Sequence, residues 1–372
     1  MKIEKLVFTN EEWHIINNET SLKNSADLVF IFGDIDLLEK YDHYKLLQDR
    51  YPKAQILICS TAGNILDTSI DAYEAVGTAV SFDSAYVHAY AEQIDKKAAA
   101  NDIKLLLDMV QKEDLQHLFF FAPGLFNASE IIESIILQEN ISISGGFAGD
   151  TKFDHTYLQL NEKGGEDIVV FIGLYGSSLH IEISSETGLH EFGSQRVITK
   201  SHKNIVYEID NKPAIELYKR YLGKKAKDLP VSALRFPLNV HNGHKNDKTI
   251  CTVMKINEDH SLVFAGNIHE GATVKLMKTN VHNILDSAFL AAKKIRPFNA
   301  KPSLTLTISC SIRRSVLKQF SEKEIEIIQD ILGSNTQIVG FYSYGEIAKF
   351  RQEKRQSPLR NQTLTITTIY EE

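Results

Sequence analysis

Three short stretches carry the side chains best suited to chemistry: Ser60, Thr61 and Gly63; Gly146, Phe147, Gly149 and Asp150; and Tyr342, Ser343, Tyr344 and Glu346. Their types suit recognition of a small polar molecule. Glycine lets backbone N–H groups approach a ligand closely. Hydroxyls donate and accept hydrogen bonds, and tyrosines offer flat apolar walls with polar tips. A fourth stretch, Cys310-Ser311-Ile312-Arg313-Arg314, supplies positive charge. A guanidinium grips a carboxylate through two parallel hydrogen bonds. Arg313 or Arg314 beside Glu346 therefore matches an α-amino acid, carboxylate to one and ammonium to the other. The same residues fit two plainer readings, exposed charges at a helix start or a structural Arg–Glu pair.

Catalytic signatures are weaker. The chain has no Walker A loop and no G-x-S-x-G elbow, and GGFAG (145–149) is not a dinucleotide fingerprint. Ser315-Val316-Leu317-Lys318 matches S-x-x-K without the companion K-T-G. None of the 13 histidines forms H-E-x-x-H, and His241 and His244 sit in the polar turn HNGHKND without an acidic third ligand at helical spacing. Cys59 could be a nucleophile, but no base lies near it in sequence, so a buried strand cysteine is the better reading. The chain reads as a binding protein rather than an enzyme, and a hydrolase-like activity is the weakest alternative.

The elements that would position these residues repeat. QILICSTAGNI (55–65), ISISGGFAGDT (141–151) and QIVGFYSYGEI (337–347) are apolar or β-branched runs that stop at small residues and a glycine. This is the pattern of a strand ending in a tight turn. Before each lies another apolar run, LVFIFG, LFFFAPG or LTLTISC, and after each comes one more strand, VGTAVSF, DIVVFIGLY or LTITTI. Between the first two runs sits a helix opened by a capping pair: Asp36 with Glu39, Asn127 with Glu130, Ser321 with Glu324. The repeated unit is strand–helix–strand–strand. It predicts a mixed α/β (α+β) fold of mixed β-sheets flanked by helices, stacked in an α-β-β-α arrangement. Right-handed crossovers join the parallel strands, and the three glycine turns cluster about a pseudo-symmetric centre. The middle differs: Pro213 and Gly223 bracket a helix, followed by short strands separated by polar turns. Phe82 to Gln111 reads as helical. The boundary between two domains falls near 185–210, giving 1–196 and 197–372.

Bulk properties narrow the class. A length of 372 residues suits two domains, and 43% hydrophobic with 24% charged residues is a globular balance able to bury a core. A net charge of -7 and a pI near 6.0 disfavour nucleic acid as a partner. No run approaches the roughly 20 apolar residues of a membrane span, and MKIEKLVFTNEEW lacks the apolar core of a secretory signal. Three scattered cysteines suit a reducing compartment. The expectation is a cytoplasmic protein with neither membrane nor nucleic-acid partner.

Taken in order, CSTAGNI, GGFAGD, NKPAIELYKRYLG, SCSIRR and GFYSYGEI resemble the FIST family, a FIST N domain followed by a FIST C domain, over most of the chain from about Leu28 to Phe350. One departure is Asn64, where the family's first motif often carries Glu. The resemblance implies a sensory input protein that binds a small ligand, amino acids among them. It also implies signalling through a separate histidine kinase, diguanylate cyclase or chemoreceptor. Some stand-alone bacterial members are described as haem-binding nitric oxide sensors, which makes haem the alternative cofactor and His88, His180 or His269 its possible ligands. The first reading needs no cofactor.

Overall fold

The computed structural model describes residues 1–372 except 18–20, 96–98, 136, 139, 242–247, 297–302 and 351–357. The three apolar pairs form parallel strands. Leu28–Gly33 lies beside Gln55–Ser60, Leu115–Ala122 beside Ser142–Phe147, and Ser303–Cys310 beside Thr336–Ser343. A helical connection links each pair, as parallel pairing requires. In each repeat the downstream strand returns antiparallel beside the first strand of the pair: Ala75–Ser81, Ile168–Tyr175 and Thr363–Glu371. A further antiparallel strand follows it: Lys2–Thr9, Tyr86–Gln93 or Leu179–Thr187.

After each glycine turn the chain leaves its own sheet. Asn64–Leu66 of the first repeat pairs with Thr336–Ser343 of the third. Leu158–Leu160 of the second pairs with Gln55–Ser60 of the first, and Glu346–Lys349 of the third pairs with Ser142–Phe147 of the second. Each repeat thus lends a short strand to a neighbour, and the three exchanges close a ring. The sheets therefore stack about a shared core as a ring of three rather than as a two-layer pair. Phe30 meets Phe119 edge-on at 5.6 Å and Phe32 stacks on Phe341 at 4.8 Å, so rings from all three repeats touch. The helices cover the outer faces, where separate apolar clusters form. Burial on both faces explains why these strands are continuous apolar runs instead of alternating ones.

The third repeat carries a large insertion between Leu179–Thr187 and helix Val281–Lys294. It forms a fourth, antiparallel sheet around the long strand His190–His202, with its own core of residues such as Ile198, Tyr218 and Val274. His190–His202 runs through the expected 196/197 boundary. Helix Ala214–Leu222 begins after Pro213 and ends at Gly223, whose φ is +53°.

Several local expectations change. Phe82 to Gln111 is not one helix: Tyr86–Gln93 is a strand, and among the described residues of the stretch Ala99–Val110 is helical. Asn127 caps its helix by accepting from Ser129 N, but the first helix is capped by Asp34, which accepts from Asp36 N. Ser321 caps nothing; its hydroxyl turns back to Lys318 O, and Glu324 is buried in another role. His244 lies outside the described residues. Among the described residues, no helix is long and apolar enough to cross a membrane.

Candidate functional site

The glycine turns sit at the three junctions of the ring, each covering the strand ends of a neighbour. Backbone bonds lock them there. Ala62 N donates to Tyr342 O at 2.9 Å and Tyr342 N to Gly63 O at 2.8 Å. Gly149 N donates to Ser60 O at 3.0 Å and Phe147 N to Gly345 O at 2.8 Å. The three motifs do meet around one centre. What fills each junction differs.

At the first–second junction, Ser60 Oγ accepts from Tyr157 N at 2.8 Å, and Thr61 Oγ1 donates to Gly33 O and accepts from Gly63 N, both at 3.3 Å. Ser60 and Thr61 are buried, and both hydroxyls bond to backbone. At the third–first junction, Arg314 Nη1 donates to Ala62 O at 2.6 Å while Nη2 pairs with Asp71. Its guanidinium lies over the Tyr342 ring, 5.3 Å from the centroid. It packs so tightly on Gly63, at φ +140°, that an added Cβ would stand 2.0 Å from Nη1. This junction is plugged from within.

The second–third junction is open. A cleft of about 510 Å³ lies between the end of Leu115–Ala122, the turn at Tyr344 and Gly345, and the inserted sheet. That volume is typical of small-molecule sites. Phe126, Phe147, Val231, Leu234, Met254 and Phe264 make it mainly apolar. Tyr344 forms one wall, and its hydroxyl donates to the Asp150 carboxylate. Burial pushes the phenol's pKa well up, and the bond to Asp150 adds to this, so it stays protonated. Phe153 stacks on Tyr344 at 4.4 Å with an interplanar angle of 3°. Asp150 fixes that stack by accepting from Phe153 N at 2.6 Å, with Phe153 held at φ +59°. A left-handed backbone at a bulky residue costs about 1–2 kcal/mol, and such strain concentrates at functional sites. The cleft's charged side chains are Lys152, 2.8 Å from Asp36, and Lys255, with no hydrogen bond or ion pair among the described residues.

Of the residues singled out from sequence, Phe147 and Tyr344 line this cleft and Asp150 braces it. The others lie elsewhere. Gly146 sits inside the ring against Ile308 and Phe341, and Gly149 packs against Ala62 N and the Tyr344 ring. Arg313 does not meet Glu346. It is buried with Glu324, Nε to Oε1 at 2.9 Å, and also donates to Ser287 Oγ at 3.0 Å and Ile284 O at 3.2 Å. Ser309 Oγ completes the set at 3.0 Å from Glu324 Oε2. Glu346 is wholly buried and accepts from Ser343 Oγ at 2.7 Å, Thr363 N at 2.9 Å and Thr363 Oγ1 at 3.0 Å. Burial pushes its carboxyl up to about 7. Burial likewise raises the Cys59, Cys251 and Cys310 thiols, away from nucleophilic use.

Haem makes a poor fit to the same cleft. Of the axial ligands haem proteins use, namely His, Cys, Met and Tyr, the described lining holds Met254 and Tyr344, and the Tyr344 hydroxyl is already taken by Asp150. His88 lies on a strand, 5.2 Å from the Tyr175 ring, His180 stacks on Tyr370 and faces Glu372, and His269 is exposed. None of the three lines the cleft, which does not fit a histidine-ligated haem.

Sequence reasoning missed Phe126, Phe153, Val231, Met254, Lys255 and Phe264. Four of these come from, or lie against, the insertion, and no local signal shows that it roofs a strand end.

A sensory class of protein follows from comparison with known families. The model of the FIST N domain matches residues 27–212 and that of the FIST C domain residues 214–349. The chain belongs to the FIST family, whose domains are generally sensory, signal-transduction domains. An uncharacterized protein of Methanocaldococcus jannaschii is 26% identical over 345 residues, 86% of this chain, and the chain spans 65% of that relative's length. A crystal structure of chorismatase overlays with a TM-score of 0.37 at 8% identity, covering 95% of this chain and 96% of the other.

Proposed function

We propose that the protein is a cytoplasmic sensor whose input is a small molecule, an amino acid or related metabolite, bound in the second–third cleft. The carrying observation is the cleft itself. It joins residues 124–128, Phe147, Lys152 and Phe153 of the FIST N match to Val231, Met254, Phe264 and Tyr344 of the FIST C match. A ligand there touches both regions and so can favour one relative placement of them over another. A separate partner, such as a histidine kinase, diguanylate cyclase or chemoreceptor, would read that change. Binding rather than turnover is supported by the buried, backbone-bound hydroxyls of Ser60 and Thr61 and by the buried thiols.

A thermal-shift screen of metabolites against the wild type and Tyr344→Ala tests the site. A ligand at 100 times its Kd stabilises by about 2.7 kcal/mol. The reading expects saturable shifts that Tyr344→Ala removes. Equal shifts in both proteins would place the ligand elsewhere.

A further inference from the structure

We propose that the cleft takes a flat apolar molecule bearing one anionic group, an aryl or cyclic carboxylate, in preference to a zwitterionic amino acid. This rests on the cleft being the ligand site. Among its described lining side chains the only formal charges are the ammonium groups of Lys152 and Lys255. Lys152 is partly neutralised by Asp36, whereas Lys255, an exposed lining residue, has no partner among the described residues.

A zwitterion's ammonium would need a carboxylate, and those around the cleft are committed. Asp150 accepts from Phe153 N, Asp154 N at 3.2 Å and the Tyr344 hydroxyl. Glu130 pairs with Lys203 at 2.9 Å, and Glu133, which accepts from Asn267 Nδ2 at 3.4 Å, is not among the described lining residues. Among the described lining residues an ammonium would therefore meet two like charges and no acid. The walls favour a flat body. The Tyr344–Phe153 stack leaves Phe153 43% exposed at the rim, and Phe147 and Phe126 lie further along the lining. An aromatic or cyclic ligand buries ring area against these faces in offset or edge contacts, while its carboxylate takes a charge-assisted hydrogen bond from Lys255.

The plugged junction shows the opposite chemistry. There a cation, Arg314, lies over the tyrosine and pairs with Asp71. The open cleft has lysines on its rim and no acid equivalent to Asp71 in its described lining.

Titration calorimetry of the full chain with three probes of matched shape isolates the charge: 3-phenylpropanoate, L-phenylalanine and 3-phenylpropan-1-ol. The inference expects 3-phenylpropanoate to bind tightest and Lys255→Gln to weaken it about tenfold or more. Affinity should fall as salt screens the exposed lysine, and the alcohol should ignore Lys255→Gln. Phe153→Ala, a change at an exposed ring, should weaken the anion and the alcohol alike. Tightest binding of L-phenylalanine, or a 3-phenylpropanoate affinity indifferent to Lys255→Gln but lowered by Phe153→Ala, overturns the ligand class and keeps the cleft. Binding indifferent to both substitutions overturns the cleft as well. No binding of any probe at millimolar concentration overturns the inference and leaves the cleft to the wider screen.

Discussion

The second–third and third–first junctions are built from the same parts and end differently. Each sets a glycine turn from one repeat over the strand ends of another. In the third–first junction Arg314 reaches back, caps Ala62 O and lies over Tyr342. In the second–third junction the strand end runs into Leu125 and Phe126, no cation among the described residues lies over the Tyr344 ring, and about 510 Å³ stays open. A repeated fold thus supplies several equivalent places, and a few side chains decide which of them holds a ligand. Symmetry in the sequence predicts where sites can form, not which one remains free.

The largest effect should come from breaking the plugged side's foundation. Arg313→Ala strands the buried Glu324 carboxylate, and removing one partner of a buried pair costs about 3–5 kcal/mol. Chemical denaturation should show that loss, with ligand affinity of the folded protein little changed. An affinity loss in step with stability would mean that the junctions are not independent.

Next in size is the pH response of Glu346, one residue beyond the cleft's Gly345. Its folded-state value, about 7, lies above the ordinary 4.5 of a free carboxyl. The folded state therefore binds the proton more tightly, and this contribution to stability is complete below about pH 4.5 and lost as pH rises through about 7. The full span is about 3 kcal/mol. Glu346→Gln should flatten the fall in stability between pH 5 and pH 8 (read as denaturation midpoints at each pH). An unchanged profile would assign the fall to other groups.

Gly124→Ala sharpens the comparison from the open side. Its Cβ would stand 2.0 Å from Ala148 O and 2.7 Å from the Tyr344 ring, so backbone and wall must move. A destabilisation of about 1–3 kcal/mol is expected, together with weaker ligand binding. The smallest effect belongs to Arg314→Ala. Its partner Asp71 is partly exposed, and such pairs contribute about 1 kcal/mol or less. With the hydrogen bond to Ala62 O also lost, the substitution should cost about 1–2 kcal/mol in denaturation and should leave binding at the second–third cleft intact.

Much of the ring was legible in the sequence because it is local. The apolar runs, the glycine stops and the downstream strands each declare themselves within about ten residues. The exchange of strands between repeats was not, because pairing of Asn64–Leu66 with Thr336–Ser343 is a long-range choice that neither segment encodes alone. Glu324 shows a second limit. Three residues after Ser321 it has the spacing of a helix cap, yet the buried guanidinium of Arg313 competes for the same carboxylate and wins. Tyr86–Gln93 shows a third: YVHAYAEQ alternates with a strand's period, but the charged helix that follows it blurred the boundary. The site was half visible. Phe147, Tyr344 and Asp150 lie in the repeated motif, whereas Phe153 and Lys255 owe their place to a strained turn and to the insertion's docking, neither of which leaves a mark in the motif itself.

The most direct measurement is hydrogen–deuterium exchange on the wild-type protein, with and without the strongest stabiliser from the metabolite screen. The account predicts slower exchange at residues 124–128, 147–153, 230–234 and 254–265, and no change around Arg314. Protection centred on residues 61–71 and 311–318, with the second–third junction unaffected, would contradict it.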